Sequence, residues 1–224
     1  MRIKWIHTSF FLVAVLAVAP NLALAQTSLS ASVYGAFSGA TTGNNTTQSP
    51  ANQAGGLVEV RHISNPILGF EATYSFNRAD QTYSATIPPE ACGVICGPII
   101  VRARVPANAH EITADWNPSV HIANLRPFGI LGVGVLLNVP SGNETLIAED
   151  GGQTSTTTSS DTSTTVKPVY VYGAGLDWGL LPHIGLRLQY RGNLYSAPDL
   201  TKLYTSADAF THTAEPMIGV YFRL

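Results

Sequence analysis

The chain has 224 residues, enough for one domain with a sizeable core, yet only 12% of them are charged, about half the share usual in soluble domains. Twelve basic residues stand against fourteen acidic ones, a formal net charge of −2, which excludes an electrostatic pull toward nucleic acid. With Ser, Thr, Asn and Gly filling the gap, such a chain either folds as a compact sheet or meets a non-aqueous solvent.

The first 25 residues have a purpose of their own. Arg2 and Lys4 give a basic start, Phe10 to Val18 an apolar run, and Ala23-Leu24-Ala25 a small-x-small site before Gln26. This is the pattern of a cleaved secretory signal peptide, and the apolar run falls short of the roughly 20 residues that an anchoring helix needs. Cleavage is expected to leave residues 26–224 as a single domain. Losing Arg2 and Lys4 takes the basic count from twelve to ten against fourteen acids, a net charge of −4. No later stretch is long and apolar enough for a transmembrane helix, so any crossing must be made with strands.

From Ser28 onward, period-two alternation recurs in eight segments, near 28–39, 55–64, 67–78, 107–117, 126–138, 167–178, 183–195 and 210–224. Most are longer than the usual strand of about five or six residues and suit a tilted membrane crossing of about 9–11. Short joins follow the second, fourth and sixth segments, at Ser64-Asn65-Pro66, Asn117 to Leu125 and Leu180 to Pro182. Long polar loops follow the others, near 40–54, 79–106, 139–166 and 196–209. Short turns at one end and long loops at the other are the mark of bacterial transmembrane barrels.

The apolar faces agree. Leu68, Phe70, Ala72, Tyr74 and Phe76 oppose Gly69, Glu71, Thr73, Ser75 and Asn77. His110, Ile112, Ala114 and Trp116 oppose Ala109, Glu111, Thr113 and Asp115. Ile184, Leu186, Leu188 and Tyr190 oppose Gly185, Arg187, Gln189 and Arg191, and Ile218, Val220, Phe222 and Leu224 oppose Gly219, Tyr221 and Arg223. None of these apolar faces holds an Asp, Glu, Lys or Arg, as a lipid-facing surface requires. The fifth and sixth segments are less clean, with Ile130, Val169 and Val171 on the inner side beside Gly132, Gly134, Gly173 and Gly175. Aromatic belts are expected from Trp116, Trp178, Phe128 and Phe222 at the turn end, and from Phe37, Tyr74, Phe76, Tyr170, Tyr172 and Phe210 at the loop end. Together these patterns predict an all-β, eight-stranded antiparallel up-and-down transmembrane β-barrel in a bacterial outer membrane.

Several stretches also carry a family resemblance: Ile67 to Tyr74, Arg126-Pro127-Phe128-Gly129 through Val135, Leu186 to Arg191, and the ending Gly219 to Leu224. In order and spacing they resemble the small outer-membrane barrel domains of the OmpA-like and Opa-like superfamily. The resemblance implies contact with outer-membrane lipids and an ending read by the barrel-assembly machinery through Val220, Phe222 and Leu224. The family usually closes on an aromatic residue, where this chain closes on Leu224. It also suggests adhesion or envelope integrity as the role.

Glu59, Arg61, Glu71, Glu111, Asp115, Asp177, Arg187, Arg191 and Arg223 fall on the inner face. In a narrow eight-stranded barrel such groups fill the interior and persist only when paired, so a polar plug is expected. Cys92 and Cys96 lie in the second long loop, where an exported protein favours a local disulfide. Two cysteines make a poor zinc site, and no cofactor is expected. Thr154 to Thr165 is Ser or Thr at every position except Asp161; with Glu144, Glu149 and Asp150 it predicts a mobile, solvated, acidic loop or a sticky edge for other β-surfaces. The expected function is non-enzymatic, structural or adhesive, with a possible extracellular partner at the loops. Three alternatives stay open: a small porin-like channel, a lipid-modifying enzyme using His110 or His212, and a soluble lipocalin-like carrier with its faces inverted.

Overall fold

The computed structural model describes residues 26–87, 99–150, 153–201 and 207–224. The expected signal segment and the Cys92–Cys96 pair lie outside them. Among the described residues fourteen strands follow one another: β1 (Gln26–Ser38), β2 (Thr41–Gly43), β3 (Thr46–Pro50), β4 (Gln53–Ile63), β5 (Gly69–Arg78), β6 (Gln81–Ile87), β7 (Ile99–Val105), β8 (Ala107–Trp116), β9 (Leu125–Pro140), β10 (Glu144–Asp150), β11 (Gln153–Ser159), β12 (Thr165–Gly179), β13 (Ile184–Ser196) and β14 (Phe210–Arg223).

Eight of them, in the order β1-β14-β13-β12-β9-β8-β5-β4, form a closed barrel, all neighbours antiparallel, with β1 pairing both β14 and β4. They coincide with the eight alternating segments of the sequence to within a few residues. Val33, Phe70, Val133, Tyr170, Leu188 and Ile218 point outward and are about half exposed or more. Most of their inward neighbours are polar or small; Val169, Val171 and Met217 are buried apolar exceptions. This outer surface is apolar, the reverse of a soluble lipocalin-like carrier, and that alternative falls with it. Trp116, Trp178 and Phe222 also face out at the turn end. Phe128 does not: it is buried in the lumen, a correction to its place in the expected belt. Its even number puts it on the same side as Ile130, and the lumen holds its ring beneath Arg61.

The other six strands form a second sheet, in the order β11-β10-β7-β6-β3-β2. They are upward extensions of the barrel strands, three hairpins that pair side by side. The stretches expected as loops are paired strands here, though β11 stays exposed as expected. After Gln153, β11 is all Thr and Ser, and β-branched Thr suits a pleated strand, so the low-complexity stretch pairs with β10 from Gln153 to Ser159. At the first hairpin, Asn44 and Asn45 adopt positive φ of 48° and 59°, which their short side chains tolerate in a tight two-residue turn.

One face of this sheet packs inward. Tyr83, Ala103 and Val105 are buried there with Ala107 and Leu200, and Leu146 packs against them. Leu200 comes from the fourth loop, which folds over this face: the Tyr83 hydroxyl donates to the Pro198 carbonyl, and the Leu200 amide donates to the Tyr83 oxygen at 3.1 Å. Burial raises the Tyr83 phenol above its ordinary pKa. Glu144, grouped by sequence with the acidic solvated loop, is fully buried at the base of β10.

Candidate functional site: the lumen and the raised sheet

Period-two alternation sends Glu59, Arg61, Glu71, Glu111, Asp115, Asp177, Arg187 and Arg191 into the lumen, where all eight are buried. Strand register decides how they meet. Arg61 stands opposite Glu71, and Glu71 opposite Asp115; Asp177 stands opposite Arg187, and Arg191 opposite Glu215.

Nearer the turn end lies one layer of ion pairs. Arg61 Nε donates to Glu71 Oε2 at 2.8 Å, and its Nη1 reaches across the lumen to Asp177 Oδ2 at 2.9 Å. Arg187 clasps Asp177 with two bonds, Nε to Oδ1 at 2.6 Å and Nη2 to Oδ2 at 2.9 Å. It also pairs with Glu59 and donates to Ser30 Oγ at 2.9 Å. The Phe128 ring lies 3.9 Å from the Arg61 guanidinium and 5.4 Å from that of Arg187, a desolvated cation–π floor. Gly175 makes room for it, since a Cβ there would stand 2.3 Å from the ring.

The second layer centres on Arg191. It donates to Asp115 Oδ2 at 3.0 Å, Thr113 Oγ1 at 3.2 Å and Glu111 Oε1 at 3.3 Å. A Cβ on Gly132 would lie 1.8 Å from Asp115 Oδ1, so glycine is what lets that carboxylate sit against the wall. Above this layer, Leu136, Val169, Val171 and Tyr195 belong to an apolar cluster that reaches down to Ile130 and Phe128. The inner-side aliphatics of the fifth and sixth segments are thus a collar within the lumen.

Arg223 is not drawn into either layer. It is only half-buried at the turn end, its amide donates to the His183 carbonyl at 2.7 Å, and the described lumen ion pairs use only Arg61, Arg187 and Arg191. Glu215, missed by sequence, is buried inside. Its odd number shares the inward side with Gly219 and Arg223, so the parity signal was present. His110 and His212 face outward, each bonded to a phenol: His110 Nδ1 to the Tyr74 hydroxyl at 2.9 Å and His212 Nε2 to that of Tyr172 at 2.8 Å. No Ser or carboxylate joins either His in these bonds.

Above the membrane, register aligns rows across the whole second sheet. Thr42, Thr47, Ser84, Arg102, Ile147 and Thr156 form one such row on the outer face. Among the described strands β11 pairs only with β10, leaving its other edge free.

A closed eight-stranded barrel with an apolar outer wall, ion-paired lumen and raised loops is an outer-membrane protein by construction. The chain belongs to the outer membrane protein beta-barrel domain family, which matches residues 9–219. Solved structures similar to it include Ail, the attachment invasion locus protein of Yersinia pestis, in complex with the heparin analogue sucrose octasulfate; it is 15% identical, at a TM-score of 0.44, over 89% of this chain and 99% of its own. The outer membrane protein OprG of Pseudomonas aeruginosa is 12% identical at 0.48, over 89% and 96% of the two chains. Neisserial surface protein A is 13% identical at 0.40, over 89% and 97%. No curated protein sequence matches the chain.

Proposed function

We propose that this outer-membrane barrel is a non-enzymatic surface protein that acts through the raised sheet, by adding an extended segment of a partner protein to the free edge of β11. The observation that supports this most is the character of that edge. Exposed edges are normally blunted by charge, proline or a bulge. Between Gln153 and Ser159, β11 carries no charged residue and no proline, and six of its seven residues are clearly exposed. Its unpaired backbone amides and carbonyls supply the affinity of strand addition, and its hydroxyls tolerate many partners. The lumen below suits a scaffold, since each buried arginine is held by at least two carboxylates.

The same reading includes export with removal of residues 1–25, contact of the apolar wall with outer-membrane lipids, and assembly guided by Val220, Phe222 and Leu224. All three side chains are exposed, Val220 and Phe222 on the last strand and Leu224 just past its end.

The test is adherence of cells displaying the chain, compared with cells displaying a variant in which 144–159 are replaced by a short Gly-Ser turn. Adherence lost while the barrel still shifts on a denaturing gel when boiled would support the reading. Unchanged adherence, with discrete conductance in planar bilayers that disappears in Arg191→Ala, would overturn it in favour of a channel.

A further inference from the structure

The lumen holds more acid than base. Six carboxylates are buried inside the barrel wall against three buried guanidiniums. Near the turn end the balance is close: Arg61 and Arg187 face Glu59, Glu71 and Asp177. Near the loop end Arg191 alone faces Glu111, Asp115 and Glu215. Its bonds go to Asp115 and Glu111, and Glu215 is left over. Glu215 is 4% exposed, and its Oε2 has no hydrogen-bond partner; neither has Asn193 Oδ1, in a residue 1% exposed.

The residues that carry these orphaned oxygens share a cavity. Glu111, Glu215 and Asn193 line one cavity with Asn138, Thr213 and Tyr195, and its lining reaches up to Pro50 and Gln81 at the loop end. The space suits an ion and a few waters, not an organic solute. A buried carboxylate without a counter-charge is strongly disfavoured, so two facing one cavity call for either a shared proton or a cation. The ligand atoms on offer are carboxylate, amide and hydroxyl oxygens, with no His or Cys in the lining. That is the donor set of a hard cation, and its irregular, mixed geometry suits calcium better than magnesium, which demands a near-octahedral shell.

We propose that this cavity is a divalent-cation site of calcium type, with Glu111, Glu215 and the Asn193 side-chain carbonyl as ligands, filled from the external side. The ion completes the charge balance of the upper lumen and joins β8, β13 and β14 below the raised sheet. Glu111 Oε1 stays on Arg191 while Oε2, now accepting from Asn193 Nδ2 at 2.9 Å, turns to the ion as the amide rotates.

Terbium serves as the probe, because Tyr195 lines the cavity and can sensitise its emission. The full-length mature chain, refolded in detergent, is titrated with Tb³⁺ under tyrosine excitation and then competed with Ca²⁺. Expected are sensitised emission, displacement by Ca²⁺, and affinity weakened more than about tenfold, as loss of a direct ligand should be at least as severe as loss of an outer-shell partner, in both Glu215→Gln and Glu111→Gln. Glu149→Gln, on the outer face of the raised sheet, should leave binding unchanged. A second reading is the gel-shift midpoint temperature, which Ca²⁺ should raise in the native chain but not in Glu215→Gln. Absent emission from a folded barrel overturns the proposal. So does emission that survives both lumen variants, or a midpoint raised by acid and indifferent to Ca²⁺, which would mean that the two carboxylates share a proton.

Discussion

The sheet above extends the barrel's strands across short breaks, yet the two levels dispose of their faces in opposite ways. In the barrel, apolar side chains point out to lipid and charge is sealed inside. In the raised sheet, the outward row is mostly hydroxyls, with Arg102 and Ile147 among them, while Tyr83, Ala103 and Val105 turn inward against the fourth loop. The solvent inverts between the two levels, and the residue pattern inverts with it. Closure differs as well: β1 returns to β4 in the barrel, whereas β11 and β2 remain edges. Hydrocarbon forbids unpaired backbone groups and water does not. The membrane section must therefore be closed, and the section above it is free to offer an edge.

The sharpest way to break the comparison is on β13, where neighbours face opposite media. Arg187→Met strands Glu59 and Asp177 without their shared guanidinium, and breaking such a buried pair costs about 3–5 kcal/mol. Reversible urea unfolding in lipid vesicles should read this as the largest loss. One residue on, Leu188→Arg puts a charge on the lipid face and should cost about 2–4 kcal/mol if Leu188 sits near mid-bilayer depth, by the same measurement. Thr156→Arg, the same charge on the outer face of β11, should stay within about 0.5 kcal/mol while reducing adherence, since a charge guards an edge. If Leu188→Arg were as mild as Thr156→Arg, the outer wall of the barrel would not be facing lipid. Replacing 144–159 by a short turn removes Leu146 from the apolar face of the raised sheet, yet the gel-shift midpoint, which reads the barrel, should move little, because the barrel closes without β10 and β11.

Alternation along the chain was enough to find all eight barrel strands and the side most of their residues face, Phe128 apart, because lipid permits no charge on one parity while the lumen accepts polar groups on the other. Parity even marked Ile130 and Val171 as inward against their chemistry. It does not give the height at which residues on different strands meet. That is set by register and shear, and it decided that Arg61 bonds Asp177, 116 positions away, that Phe128 lies under Arg61, that Arg223 stays outside both layers, and that Glu215 arrives beside Glu111 with no cation of its own. The second sheet was hidden for a related reason: Thr and Ser are equally at home in a solvated loop and on an exposed strand, and only the neighbouring hairpins, fixed in place by the closed barrel below, select the strand.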